Sequence, residues 1–371
     1  MLKTADAFTE EKEYLLLNKD EPIATFTINN AVGLINIKKR FASDPLGVVD
    51  LAGFIANRRA PKQRENIAEL LKMSGCDTLT GFVEITHALS LIDTFWVKPI
   101  DSELSWDKVS LYTHEFNEVV AKTAFEGGLH GRNLSTTSPE YGTDGSFAKC
   151  WIRENGQIKM LKRGSSGAAN AGLEPYSEYY AGQLIQVLTD DFVRYDLRSV
   201  SGRVCSVCDI FTSEEFGFLP FSVLNNHAST LNSTLDTAKR YGVEYEVKRM
   251  FVVDAIILNE DRHTNNFGFL INNKTQEIEK FAPLFDHNIA LLPYAMESDF
   301  EEIDKYVSEK GPRIGETWNG LASWCLDSQM RKALVELTDF KFERHKKFNL
   351  PEWRLEALEK LIQKNVREIL A

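Results

Sequence analysis

The chain has 371 residues, 43% of them hydrophobic, with a formal net charge of −11 and a pI near 5.3. That length supports two or three units with full cores, and no apolar run reaches the roughly eighteen residues of a membrane span. An acidic balance disfavours nucleic acid and anionic membranes as direct partners, local basic patches aside. The start, Met1-Leu-Lys-Thr-Ala, lacks the apolar core of a secretion signal. The five cysteines fit a reducing compartment, so a cytoplasmic protein is expected.

Residues 1–130 are expected to form an N-terminal α/β accessory region. Tyr14–Asn18 and Ile23–Ile28 read as strands joined where Asn18, Asp20 and Pro22 mark a turn. Arg64–Met73 has the pattern of a helix stopped by Gly75. The basic cluster Arg58, Arg59, Lys62 and Arg64 reads as a solvated helix start, and Thr86–Val97 runs into an aromatic strand. This region shows no chemistry.

From Leu129 the texture changes. Gly131–Gly145 is rich in Gly, Ser and Thr, and Phe147–Ile152 and Gln157–Lys162 read as strands around Asn155-Gly156, a two-residue hairpin signal. After a second Gly/Ser stretch, Pro175 opens a predicted helix through Leu188, and strands follow near 192–200 and 203–211. Cys205-Ser-Val-Cys208 lacks a second pair of zinc ligands and reads as buried strand residues. Beyond residue 212 the pattern is mainly helical. Its tail places Leu355, Leu358, Ile362, Val366 and Ile369 near one face of an amphipathic helix.

The chemistry concentrates in Asn259-Glu-Asp-Arg-His-Thr-Asn-Asn-Phe267, which follows the apolar stretch Met250–Leu258. Phosphoryl transfer needs a carboxylate to take the acceptor's proton and an oxygen ligand for Mg2+ nearby. Asp261 and Asn266 stand at the D-x-x-x-x-N separation that protein kinases use for this pair. Asp286, in Ala282-Pro-Leu-Phe-Asp286, supplies a second metal ligand after a predicted hairpin, Phe267–Phe281, that folds the chain back. Upstream, Gly142, Thr143, Asp144, Gly145 and Ser146 can offer backbone N–H groups to phosphate, in a loop that is not a Walker A motif. Lys162 is the first candidate for a phosphate-holding cation, with Glu178 to orient it; Lys149 and Glu174 are the rivals.

These motifs resemble the HipA-type serine/threonine kinases, the toxin half of bacterial toxin–antitoxin pairs. Their signature is an N-x-D-R-H-x-x-N-F loop and a later Asp after an apolar strand. The likeness covers roughly residues 130–371. It implies an α+β, bilobal protein-kinase-like fold with an additional N-terminal α/β region: 1–130 accessory, 131–212 small lobe, 213–371 helical large lobe. It implies Mg-ATP as cofactor, Asp261 as catalytic base, Asn266 and Asp286 on metal, and Lys149, Lys162 and His263 at the nucleotide. Asp209 and Phe211, in the run Cys208–Phe211, would form the hinge that holds adenine. The family's autophosphorylated serine would correspond to Ser138, with Thr137, Thr143 and Ser146 as the nearby alternatives. The partners implied are a protein substrate and an antitoxin encoded nearby. A small-molecule or lipid kinase of the same fold, or a non-catalytic binding or repressor subunit, are the alternatives. The first 130 residues show no likeness to the family's N-terminal domain.

Overall fold

A computed structural model describes residues 12–29, 34–41, 50–132, 134–225 and 230–371. They fall into two units. One runs through Ser146 and takes in Ser213–Glu215 and Asn273–Gln276; the other holds Phe147–Thr212, Phe216–Asn272 and Glu277–Ala371. The expectation drew boundaries after residues 130 and 212. The first instead falls later, because the segment leading to Ser146 is bonded into the N-terminal unit. Arg64 donates to the carbonyls of Glu140 and Thr143 at 2.6 and 2.7 Å, and Ala60 N–H donates to Tyr141 O at 2.7 Å. After residue 212 only Ser213–Glu215 and Asn273–Gln276 leave the second unit, which otherwise holds the expected small lobe from Phe147 and most of the expected large lobe.

In the N-terminal unit, β1 (Glu13–Asn18), β2 (Glu21–Asn29), β3 (Leu34–Arg40) and β4 (Phe95–Pro99) form an antiparallel sheet in the order β3-β2-β1-β4. The β1–β2 turn passes through Lys19 at φ 51°, beside the Asp and Pro that marked it in the sequence. Helices α1 (Leu51–Ala56), α2 (Ile67–Ser74), α3 (Leu79–Thr86), α4 (Trp106–Val109) and α5 (Glu118–Glu126) accompany the sheet. Gly75 ends α2 at φ 83°, a left-handed stop that favours glycine. Tyr14, Phe26, Phe82, Val97 and Tyr141 share the core.

The basic cluster is not solvated throughout. Arg58 is buried, forks onto Asp93 at 2.7 and 3.0 Å, and donates to the carbonyls of Ala88 and Phe95. Arg64 is buried as well. Each guanidinium ties distant backbone segments together, a task a lysine's single point of charge does less well.

The second unit opens with β5 (Lys149–Glu154) and β6 (Gln157–Arg163), turning at Asn155-Gly156, with φ positive at both as a type I′ turn requires. Helix α6 (Glu174–Ile185) follows, with Pro175 in its first turn, then β7 (Tyr195–Val200) and β8 (Arg203–Asp209). The four strands order as β5-β6-β8-β7. Cys205 and Cys208 are buried strand residues on β8.

A strand that the sequence reading missed, β9 (Phe216–Pro220), begins the mainly helical part. Helices α7 (Phe221–Leu224), α8 (Leu231–Arg240) and α9 (Glu244–Ile257) come next, then β10 (Gly268–Asn272) and β11 (Ile278–Phe281). β9 pairs with β10, so the expected hairpin is two strands of a three-stranded sheet. Helix α9 is buried on nearly every side from Met250 to Ile257, so the apolar stretch before the loop is a core helix. The remaining helices are α10 (Glu297–Glu301), α11 (Ile303–Ser308), α12 (Trp318–Cys325), α13 (Ser328–Leu334) and α14 (Glu352–Leu370). α14 buries Leu355, Leu358, Ile362, Val366 and Ile369, the face read from the sequence, and α12 and α14 pack on α9. Among the described residues no helix is long and apolar enough to cross a membrane.

Because Arg58 is buried against one carboxylate, Asp93→Ala is expected to destabilise the N-terminal unit by about 3–5 kcal/mol. Hydrogen exchange at the β4 amides reports it; protection equal to wild type would contradict the assignment.

Candidate active site

Strand register sets the first part of the site. Lys162 lies opposite Lys149 on β5 and opposite Ser206 on β8. Its ammonium meets Glu178 Oε1 on α6 at 2.8 Å and also bonds Asp286 Oδ1. Ser206 donates its hydroxyl to the other Glu178 oxygen. The structure thus joins Lys162 to Glu178. Glu174 turns elsewhere, accepting from Ser165 N–H at 3.2 Å and from the Tyr294 hydroxyl at 2.9 Å.

Burial would discharge this cluster, and the charges oppose it. Desolvation pulls the Lys162 pKa down, but Asp286 and Glu178 together hold it well above the ordinary lysine range. Desolvation likewise raises Asp286, yet Lys162, then Lys149, hold its carboxyl well below the usual range. Glu178 is shifted upward, burial outweighing Lys162. At neutral pH the cluster is an ammonium beside an ionised Asp286.

The second part is the loop after α9. Leu258 caps the helix in the left-handed conformation, φ 53°, and turns the chain out of the core. Asn259 donates from Nδ2 to Asp254 Oδ1 at 3.0 Å, one turn back on α9. Arg262 is buried with every nitrogen engaged: Nε and Nη2 donate to the Asp254 carboxylate at 2.9 and 3.0 Å, and Nη1 donates to the carbonyls of Asn266 and Phe285 at 2.9 and 2.8 Å. Nη2 also meets His287 Nδ1 at 3.1 Å. Burial, then the Arg262 charge, hold His287 well below the usual histidine range, so its ring is a neutral acceptor there. One side chain therefore laces α9, the loop, and the segment bearing Asp286.

Asp261 itself is exposed enough to meet a substrate, and Arg313 donates to its Oδ1 at 2.6 Å. Asn266 is buried and donates its amide to Asp261 O at 3.1 Å, leaving the amide oxygen as the atom for a cation. His263 sits within the same loop, its Nδ1 accepting from Asn265 N–H at 3.2 Å. Asp286 adopts a left-handed φ of 59°, tolerable for Asp, and its N–H donates to the Tyr195 hydroxyl at 3.1 Å.

At the end of β8, Phe211 packs with Phe218 and Phe285 in an aromatic cluster with ring centroids 5.2–5.7 Å apart. Asp209 is exposed, with Lys159 2.5 Å from its carboxylate. The loop of Gly142, Thr143, Asp144, Gly145 and Ser146 lies in the N-terminal unit, where a side chain at Gly142 would press on Leu89 O. Ser138 belongs there too, buried, its hydroxyl bonded to Glu140. Sequence reasoning missed Asp254, Arg262, Tyr195, His287 and Arg313. Only Arg262 left a trace, as part of the D-R-H string.

No family model matches the chain. A serine/threonine-protein kinase of Helicobacter pylori, CtkA, is 25% identical over 154 residues, which are 38% of this chain and 47% of that protein. The chain thus matches about half the length of that relative. The crystal structure of a proinflammatory kinase CtkA from H. pylori superposes with TM-score 0.51 at 17% identity, covering 63% of this chain and 93% of that one. HipA of Shewanella oneidensis, solved with HipB and its operator DNA, superposes with TM-score 0.55 at 10% identity, covering 96% of each chain. This second likeness extends into the N-terminal unit, where the sequence showed none. The chain has the fold of the HipA-type kinases.

Proposed function

We propose that this chain is a HipA-like, Mg-ATP-dependent protein serine/threonine kinase acting in the cytoplasm. The observation that supports it is Arg262, which fastens the Asp261–Asn266 loop to Phe285, one residue before the carboxylate that Lys162 reaches from the small lobe. In this reading Asp261 accepts the proton of the acceptor hydroxyl, and Lys162, oriented by Glu178, holds ATP phosphates. Asn266 and Asp286 offer the hard oxygen donors that suit Mg2+. The metal, when bound, would neutralise charge on the phosphates. Asp209 and Phe211 form the hinge, and Lys149 and His263 flank the nucleotide. Self-phosphorylation at Ser138 would need its buried hydroxyl to leave Glu140 first. By analogy with HipA, solved with HipB, an antitoxin-like protein encoded nearby is the partner.

Asp261→Asn is expected to lower transfer of labelled phosphate to protein about 10²–10⁴-fold, with the fold intact because Asp261 is exposed. Equal labelling by wild type and variant would refute the assigned base. Turnover of a small-molecule hydroxyl with no labelled protein would move the reading to a small-molecule kinase.

Arg262→Met leaves Asp254 buried and unpaired, and is expected to cost about 3–5 kcal/mol by urea unfolding. Arg262→Lys keeps the charge but loses the fork, so transfer should fall even where the protein stays folded. Wild-type stability and turnover in both variants would show that the loop is held by something else.

A further inference from the structure

Arg313 is the unexplained cation of this site. It lies 52 residues beyond Asp261 and donates to its Oδ1 at 2.6 Å. Resting on the kinase reading above, we propose that Arg313 is a further catalytic residue, parked on Asp261 in the free protein and closing on the transferring phosphoryl group when nucleotide is bound.

The segment around it is built to present that side chain. Ile314 is buried, Gly315 turns the chain at φ 113°, where a side chain would be strained, and Lys310 pairs with Glu260 at 3.4 Å while lying over the Tyr306 ring. The backbone is thereby anchored beside Glu260-Asp261, while the Arg313 side chain stays 57% exposed. An exposed Arg–Asp pair contributes little and is easily exchanged. Phosphoryl oxygens carry more charge than one carboxylate and accept a guanidinium in bidentate fashion, so they compete well for it. Lys162 is already committed deep in the site to Glu178 and Asp286.

Geometry points the same way. An acceptor oxygen bonded to Asp261 lies roughly 3 Å from that carboxylate, with the γ-phosphorus on its far side. A guanidinium held on the same carboxylate therefore starts beside the place where the γ-phosphoryl group would lie. In the step, the acceptor oxygen forms its bond to the γ-phosphorus and its proton passes to Asp261. The bond from the γ-phosphorus to the β–γ bridging oxygen breaks, and its electron pair stays on ADP. Arg313 would stabilise the charge on the equatorial oxygens throughout.

The test uses the full chain with Arg313→Met and Arg313→Lys. Calorimetry with ADP and with β,γ-imido-ATP reads binding, and phosphate labelling reads turnover. Arg313→Met should bind ADP as wild type does, lose about tenfold in the preference for the triphosphate analogue, and fall about 10²–10³-fold in kcat. Arg313→Lys should recover part of both. Unchanged preference and kcat in Arg313→Met would overturn the proposal, leaving a surface ion pair. A faster Arg313→Met would overturn it too, showing a contact that merely occludes the base. An inactive Asp261→Asn beside an unimpaired Arg313→Met sinks this proposal alone. A wild type that neither binds the analogue nor labels protein sinks the kinase reading as well.

Discussion

The geometry of the candidate site depends on one buried ion pair, Arg262 with Asp254. Desolvating a guanidinium and a carboxylate costs several kcal/mol each, and the loss is offset only where the geometry is good and the remaining donors are filled. Here they are filled. The donors left over from Asp254 go to the carbonyls of Asn266 and Phe285 and to His287. Any shift of the loop against α9, or of the Asp286 segment against the loop, would strand a buried charge. Asp261 and Asn266 therefore inherit their positions from a buried neighbour.

The Lys162 cluster is of a different kind. Its two carboxylates compete for one ammonium, and Ser206 relieves only part of the excess on Glu178. Asp286 lies between these systems, bonded through its carboxylate to the small-lobe lysine and through its N–H to Tyr195 on β7. An acid in the left-handed region, tied from two sides, couples the sheet of β5–β8 to the loop after α9.

The parts of this arrangement that local pattern encodes were legible in the sequence. Asn155-Gly156 announced a hairpin, Pro175 a helix start, and the tail its buried face. The D-R-H-x-x-N string pointed to Asp261 and Asn266, with Asp286 after a folded-back hairpin. What was illegible is long-range. β9 is short and takes its identity from pairing with β10. Arg58 and Arg262 look like surface charges until their carboxylates, 35 and 8 residues away, are seen buried with them. The unit boundary after Ser146 is set by carbonyls that Arg64 holds, which no composition shift marks. Arg313 reaches Asp261 across 52 residues of sequence, beyond any motif.

A loop fastened from inside by a buried side chain is ordered when the protein folds, not when a ligand arrives. The conformational entropy of Asn259–Phe267 is lost once, in the folding equilibrium, rather than at each encounter with nucleotide or acceptor. Reaction rate and global stability then share a root in Asp254. Substitutions that soften the core around α9 should show their effect first as imprecision at an exposed aspartate several residues away.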